Sequence, residues 1–123
     1  MKQLAFVAIG GMIGASLRYL ISLLTKSFYE GDFPFATLFI NVLGCFFIGL
    51  IYSNFNQNNS FEWIKPLLIT GVLGGFTTFS AFSYEGIQLF QSQKLMAAII
   101  YIVLSNSLGL IAAYSGTFIQ LSK

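Results

Sequence analysis

The fold is decided by ten residues near the middle of the chain, Gly74-Gly75-Phe76-Thr77-Thr78-Phe79-Ser80-Ala81-Phe82-Ser83. They lie in an uncharged segment that runs from Pro66 to Tyr84, so small, hydroxyl and aromatic residues meet where a bilayer has its middle. A membrane helix can lose regular backbone at such a run only where the freed groups find protein, water or an ion. We therefore expect a helix break here, and we expect the functional site at the break.

The composition around this stretch is that of a membrane protein. Of the 123 residues, 56% are hydrophobic and only 8% are charged, and the mean hydropathy is +0.79. Soluble domains carry roughly 25% charged residues. A spanning helix needs about 20 residues, so four spans use most of the chain. We interpret residues 1–123 as a single transmembrane domain of the all-α class.

The charged residues mark the ends of the apolar segments. They predict helices at 3–25, 34–54, 64–90 and 95–120, joined by short polar turns at 30–34 and 54–59. Only Arg18 and Glu85 lie well inside the predicted spans, away from their ends. The other charged residues lie at the ends: Lys2, Lys26, Glu30, Asp32, Glu62, Lys65, Lys94 and Lys123. A signal peptide is a weaker interpretation of the first span, because the apolar segment continues past Arg18 and three more spans follow.

The chain lacks the residues that several classes of function need. The chain has no histidine, and its one cysteine, Cys45, is expected to be a small packing residue. No Cys or His cluster has the spacing of metal ligands, and the hydroxyls of the central stretch have no base beside them. A net charge of +2 is spread over several loops. We therefore expect neither an enzyme nor a protein that binds nucleic acid.

The basic residues barely specify an orientation in the membrane. With four spans, three lysines face one side and two face the other, and Arg18 adds to the weaker side. The two sets are Lys2, Lys65 and Lys123 against Lys26 and Lys94. Lys and Arg excess in short loops sets topology, so both orientations are expected. Two oppositely oriented copies then form a closed, antiparallel homodimer.

The first helix contains a motif for close packing. Gly10 and Gly14 have the small-xxx-small spacing that lets two helix backbones approach each other. Arg18 follows one turn later on the same face. An arginine inside a span costs about 2.5 to 3.5 kcal/mol on insertion scales. It is therefore either an anchor that reaches the membrane surface or a cation that attracts anions into a vestibule.

The second and third helices place polar groups deep in the membrane. A buried amide such as Asn41 either joins helices or lines a water-filled path, and the spacing leaves both open. In the third helix, Thr77 and Thr78 can satisfy carbonyls that a break would free. Phe79 and Phe82 follow on one face. They are either packing residues or rings whose positive edges face an anion.

Three segments together resemble the Fluc (CrcB) family of fluoride channels. They are Gly10-Gly11-Met12-Ile13-Gly14 with Arg18-Tyr19, Thr37-Leu38-Phe39-Ile40-Asn41-Val42-Leu43-Gly44, and the central stretch from Gly74 to Ser83. They occur in order and span nearly the whole chain. The resemblance implies a dual-topology homodimer in the cell membrane, with two pores. It implies passive export of fluoride that has entered cells as the weak acid, which relieves its toxicity.

The resemblance also implies roles for single residues. Phe79 and Phe82 match the phenylalanines that line the pores, and Asn41 matches the pore asparagine of the second helix. Gly74 and Thr77 match the break whose backbone carbonyls, from both subunits, hold a structural sodium ion. Arg18 matches the first-helix arginine, with a vestibule or structural role.

Two regions depart from that pattern or leave it open. Ala81 stands where many members carry Thr or Ser, so we expect Ser80 to supply that wall of the pore. In the fourth helix, Tyr101, Ser105 and Asn106 are candidates for a polar track, and we favour Ser105 and Asn106. Glu85 lies either at a pore mouth or in solvent at the helix end.

Two other functions compete with the channel. Small multidrug transporters also have four helices and insert in both orientations, but they need a carboxylate in the membrane, typically in the first helix. Here the first helix has Arg18 and no acid, and Glu85 is the only candidate. A purely structural membrane subunit is the third possibility, and it predicts no ion flux.

Overall fold

The computed structural model describes residues 1–55 and 63–119. Within these ranges the chain is helical and contains no strand. The described part holds four helices long and apolar enough to cross a membrane. The third of these spans, Pro66–Gln91, consists of three shorter helical elements. The elements are α1 (Lys2–Phe28), α2 (Phe35–Phe55), a π-helical segment π1 (Pro66–Leu73), α3 (Gly74–Phe76), α4 (Phe79–Gln91) and α5 (Leu95–Thr117).

The predicted spans and the first predicted turn are confirmed. Helix α1 runs slightly beyond the predicted 3–25, and the turn at 30–34 lies between α1 and α2. Asn54, predicted to begin the second turn, is instead still in α2, where its amide donates to the Ile119 carbonyl at 2.7 Å. Residues 56–59 of that turn, and position 120 of the last predicted helix, lie outside the described residues.

The predicted break in the third span is confirmed at Thr77 and Thr78. Both residues have extended backbone, with ψ of 158° and 121°, between α3 and α4. The π-helical form of π1 was not predicted, because its eight mostly apolar residues show no periodicity that separates a π-helix from an α-helix. The segment is separated from the break only by the short helix α3, and π-helical turns often mark functional sites.

Glycines allow two helix pairs to pack with their backbones in contact. Helix α1 lies against π1 and α3, where a methyl group on Gly14 would overlap the Val72 carbonyl oxygen. Helix α2 lies against α5 in the same way, because a methyl group on Gly49 would overlap the Ala113 carbonyl oxygen. The close approach predicted for the first helix is therefore confirmed, with the third span as its neighbour.

This packing predicts different effects for two neighbouring glycines. A methyl group at Gly14 overlaps backbone, whereas one at Gly11 meets no atom within 4 Å. We expect Gly14→Ala to destabilise the fold by about 1–3 kcal/mol, the usual cost of overpacking. Gly11→Ala should have no such cost. Thermal unfolding of the purified variants in detergent measures the difference, and equal stability of the two would contradict the helix pairing.

The interior is small and most apolar side chains face outward. One buried cluster joins α4 to α5 and contains Leu89, Ala98 and Tyr101, with Tyr101 completely buried. Large apolar residues on the outer faces are widely exposed, among them Leu110 at 75%. Such continuous exposure is unusual on a soluble monomer and suits a lipid environment.

Candidate functional site

Asn41 holds the break in the third span from the neighbouring helix α2. Its side-chain carbonyl oxygen accepts a hydrogen bond from the Thr78 N–H at 2.8 Å, and its amide nitrogen donates to the Thr78 carbonyl at 3.0 Å. One side chain therefore satisfies both backbone groups of an extended residue. In the membrane this matters, because no water is available for unpaired backbone groups. Asn41 thus joins two helices, and it also lines the cleft described below.

The two threonines of the break stabilise the helix ends on either side. The Thr77 hydroxyl donates to the Leu73 carbonyl at 2.9 Å, within the segment before the break. The Thr78 hydroxyl accepts from the Ala81 N–H at 3.2 Å and caps the N-terminus of α4. These are the roles expected of hydroxyl side chains where a helix is interrupted.

These bonds leave two backbone carbonyls without their helical partners. In an α-helix the Gly74 carbonyl would accept from the Thr78 N–H, but that N–H donates to Asn41 instead. The Thr77 carbonyl would accept from the Ala81 N–H, which donates to the Thr78 hydroxyl. Unwound carbonyls at a half-helix end are suitable ligands for an alkali cation. The donor set at Gly74 and Thr77 therefore fits a sodium ion.

An open cleft of about 330 Å³ lies beside the break, between α2, the third span and α5. None of the described side chains that line it is charged. Its walls combine apolar, hydroxyl, amide and ring groups: Asn41, Gly44, Cys45, Ile48, Ile69, Leu73, Gly74, Thr77, Thr78, Phe79, Phe82, Ser105 and Asn106. Cys45, expected as a packing residue, is half-buried and carries a free thiol on this wall.

Most of the residues proposed for the pore line this cleft. The rings of Phe79 and Phe82 are 5.6 Å apart, and Phe79 is 79% exposed in the single chain. The Ser105 hydroxyl is buried and has no hydrogen-bond partner among the described residues. Asn106 also reaches the cleft, although its amide donates to the Ile102 carbonyl of its own helix at 2.7 Å.

Two predicted site residues lie elsewhere. Ser80 is exposed and is not part of the cleft wall, and its hydroxyl is 3.2 Å from the Thr78 hydroxyl. Thr78, and not Ser80, therefore lines the cleft at this point. Arg18 is half-exposed on α1, outside the cleft wall, and its carbonyl accepts from the Ser22 hydroxyl at 3.0 Å.

Three hydrogen-bonded polar side chains lie next to the cleft, and the sequence did not predict that they come together. The Glu85 carboxylate accepts from the Thr37 hydroxyl at 2.7 Å and from the Tyr101 hydroxyl at 2.8 Å. Thr37 is only 5% exposed. We call Thr37, Glu85 and Tyr101 the polar trio. Its sequence signal was Glu85, one of two charges well inside the predicted spans, which is partly exposed and does not line the cleft.

The break also orients two helix ends toward the site. The N-terminus of α4, which has 13 residues, begins at the cleft with Phe79, and its first N–H groups carry partial positive charge. The preceding half of the span ends there with carbonyls that have lost their helical partners, and these carry partial negative charge. Anions are therefore favoured on the α4 side of the break and cations on the α3 side.

Known proteins match this chain over nearly its whole length. The family model described as "CrcB-like protein, Camphor Resistance (CrcB)" matches residues 5–117. A relative from Flavobacterium psychrophilum, named fluoride-specific ion channel FluC, is 44% identical over 120 residues, which cover 97% of each chain. A relative of the same name from Shewanella denitrificans is 40% identical over 123 residues, which cover 100% of this chain and 99% of the relative.

Another relative of that name, from Shewanella sp. (strain W3-18-1), is 41% identical over the same 123 residues. These matches reach from the first span to the last, so the matched range includes the positions of the break and of Asn41. Because both the family model and full-length relatives match, the chain is a multi-pass membrane protein that belongs to the CrcB family.

Proposed function

We propose that the protein is a fluoride-selective channel that exports fluoride passively across the membrane and so relieves its toxicity. The observation that carries the proposal is the uncharged cleft at the break, with the N-terminus of α4 opening into it. The relatives, all named as fluoride channels, support the choice of ion.

The cleft offers the kind of donors that fluoride needs. Asn41 uses one of its two amide hydrogens on Thr78, which leaves the other free. The Ser105 hydroxyl is unpartnered among the described residues, and the rings of Phe79 and Phe82 can present positive edges. A small, strongly hydrated anion can leave water only where several fixed donors replace it. Without fixed charge on the walls, the ion is not held too tightly to leave.

We further propose that two copies assemble antiparallel and that each assembly has two pores. The cleft is open on one side of the single chain, and Phe79 is 79% exposed in the middle of a span. A second copy would cover both. It would also bring a second pair of carbonyls, from its Gly74 and Thr77, to a shared sodium ion. Lipid surrounds the outer faces of the assembly.

The position of the carboxylate favours the channel over a multidrug transporter. Such a transporter must bind and release protons at a carboxylate that the substrate can reach. Glu85 does not line the cleft, and its two oxygens accept hydrogen bonds from Thr37 and Tyr101.

Fluoride efflux from liposomes tests the proposed function. Purified protein is reconstituted in liposomes loaded with fluoride or with chloride, and an ionophore supplies potassium permeability. We expect rapid fluoride loss and chloride loss at the background rate. Folded protein that releases no fluoride would overturn the proposal and leave the structural subunit as the alternative.

The proposed dimer predicts a specific effect at Gly74. A methyl group there meets only the Ile69 carbonyl oxygen, at an ordinary 3.6 Å, so the single chain accommodates it. At the proposed contact between copies there is less room. We expect Gly74→Val to lower the dimer fraction at least tenfold, measured by light scattering in detergent. Gly86→Ala, where a methyl group meets nothing within 4 Å, is the matched control. Unchanged dimer in Gly74→Val would contradict this interface.

Dual topology predicts that a forced orientation abolishes function. Three lysines inserted between Ser92 and Gln93 should fix one orientation, because basic residues in short loops set topology. Alone, this variant should give no fluoride flux. Co-expression with a variant that carries three lysines after Met1, which favours the opposite orientation, should restore it. Full flux from either variant alone would argue against the antiparallel assembly.

A further inference from the structure

The polar trio is closed off on two sides by aromatic rings. On the side of the cleft, the Phe82 ring is 5.2 Å from the Tyr101 ring. On the side of the α1–α2 connection, the Phe33 ring is 5.7 Å from the Tyr101 ring and nearly perpendicular to it, at 79°. Tyr101 is completely buried, and Leu38 and Ala97 also pack on its cluster. Phe33 is therefore the ring of the α1–α2 connection that packs on the trio, through Tyr101.

The connection that carries Phe33 is tied to the opposite loop. Asp32, its neighbour in sequence, forms an ion pair with Lys94, the residue that caps the start of α5. Both side chains are well exposed, at 68% and 45%, so the pair lies at the surface. An exposed pair of this kind is weak and is screened by salt. It can hold a short connection in place and still open at low cost.

We propose that Phe33 is a lid over the polar trio and that the Asp32–Lys94 ion pair is its latch. The inference rests on the proposed function in one respect: the trio is the next set of polar groups past Phe82, so an ion that leaves the cleft toward this end passes it. Phe33 then controls access between the trio and the solution. It does so through its contact with the Tyr101 ring.

Cysteine labelling tests the lid without any need for fluoride. Thr37, in the trio, is replaced by cysteine in a Cys45→Ala background and reconstituted in liposomes. An anionic, membrane-impermeant methanethiosulfonate reagent is added outside, and mass spectrometry follows the labelled fraction. With Phe33 in place we expect slow labelling. With Phe33→Ala we expect labelling at least tenfold faster, and with Phe33→Tyr, which keeps the ring, we expect it slow again.

Phe28→Ala provides the matched control, because Phe28 lies at the same end of the bundle but is 88% exposed. It should leave the labelling rate unchanged. In an antiparallel dimer only one copy presents this end to the reagent, so labelling should stop near half of the protein. Complete labelling would argue against the antiparallel arrangement while leaving the lid supported.

The latch makes a prediction that a merely structural role does not. Raising the salt from about 0.1 M to about 1 M shortens the screening length from about 10 Å to about 3 Å and should speed labelling up to about fivefold. Asp32→Asn should label at the faster rate at both salt concentrations. The exchanged pair, Asp32→Lys with Lys94→Asp, should restore slow, salt-sensitive labelling. Labelling that is equally slow in Phe33→Ala and Phe28→Ala would overturn the lid, whether or not the protein conducts fluoride.

Discussion

Replacing Asn41 with leucine is expected to destabilise the fold and to abolish most fluoride flux. The change removes both hydrogen bonds to Thr78, which span 2.8 and 3.0 Å, and leaves its N–H and carbonyl unpaired inside the membrane. Each unsatisfied buried group costs about 1–3 kcal/mol, so the loss is about 2–6 kcal/mol. Leucine has a similar size, so the effect comes from the lost bonds and not from a cavity.

Thermal unfolding and fluoride efflux should both report the Asn41 change. Flux should fall at least tenfold, because the break no longer holds α4 and its N-terminus at the cleft. Asn106→Leu is the matched control for stability. Among the described residues the Asn106 amide bonds only to its own helix, at Ile102. The residue is exposed, so the free energy of unfolding should change by less than about 0.5 kcal/mol. Equal stability of both variants would show that Asn41 does not hold the break.

Replacing Phe82 or Phe79 with isoleucine is expected to remove flux and spare the fold. The two rings are 5.6 Å apart on the cleft wall, and Phe82 also contacts the Tyr101 ring. Isoleucine keeps an apolar side chain but has no ring edge to face an anion. Each variant should lose at least tenfold in fluoride efflux, with a stability loss below about 1.5 kcal/mol.

Phe90→Ile is the matched control for the cleft rings. Phe90 lies on the same helix, α4, outside the cleft, and is 45% exposed. The Phe90→Ile variant should conduct fluoride like the unchanged protein. Normal flux from folded Phe82→Ile would remove that ring from the pore, and the remaining donors of the cleft would have to carry the ion without it.

The spans and the break could be predicted because they rest on composition and local sequence. Apolar segments bounded by charges predict four helices, and small and hydroxyl residues between Gly74 and Thr78 predict the interruption. The close packing of α1 was also predictable, since Gly10 and Gly14 repeat at helical spacing. Which helix Gly14 contacts was not, because spacing describes one surface and not its neighbour.

The polar trio shows why the rest of the site could not be predicted. Thr37, Glu85 and Tyr101 lie on three different helices, and only the packing of α2, α4 and α5 brings their side chains together. Each residue alone has ordinary explanations. Ser80 and Thr78 illustrate a finer limit. Thr78 lines the cleft and Ser80 does not, and no pattern in the sequence specifies the extended backbone at Thr78.

The most direct test is the reversal potential of the purified protein in a planar bilayer. A tenfold fluoride gradient is opposed by a tenfold chloride gradient, so the two ions predict reversal at opposite signs. A passive, fluoride-selective pore should give current that reverses near the fluoride equilibrium potential, about 59 mV in magnitude. Reversal near zero or at the chloride potential, or no current from folded protein, would contradict the account.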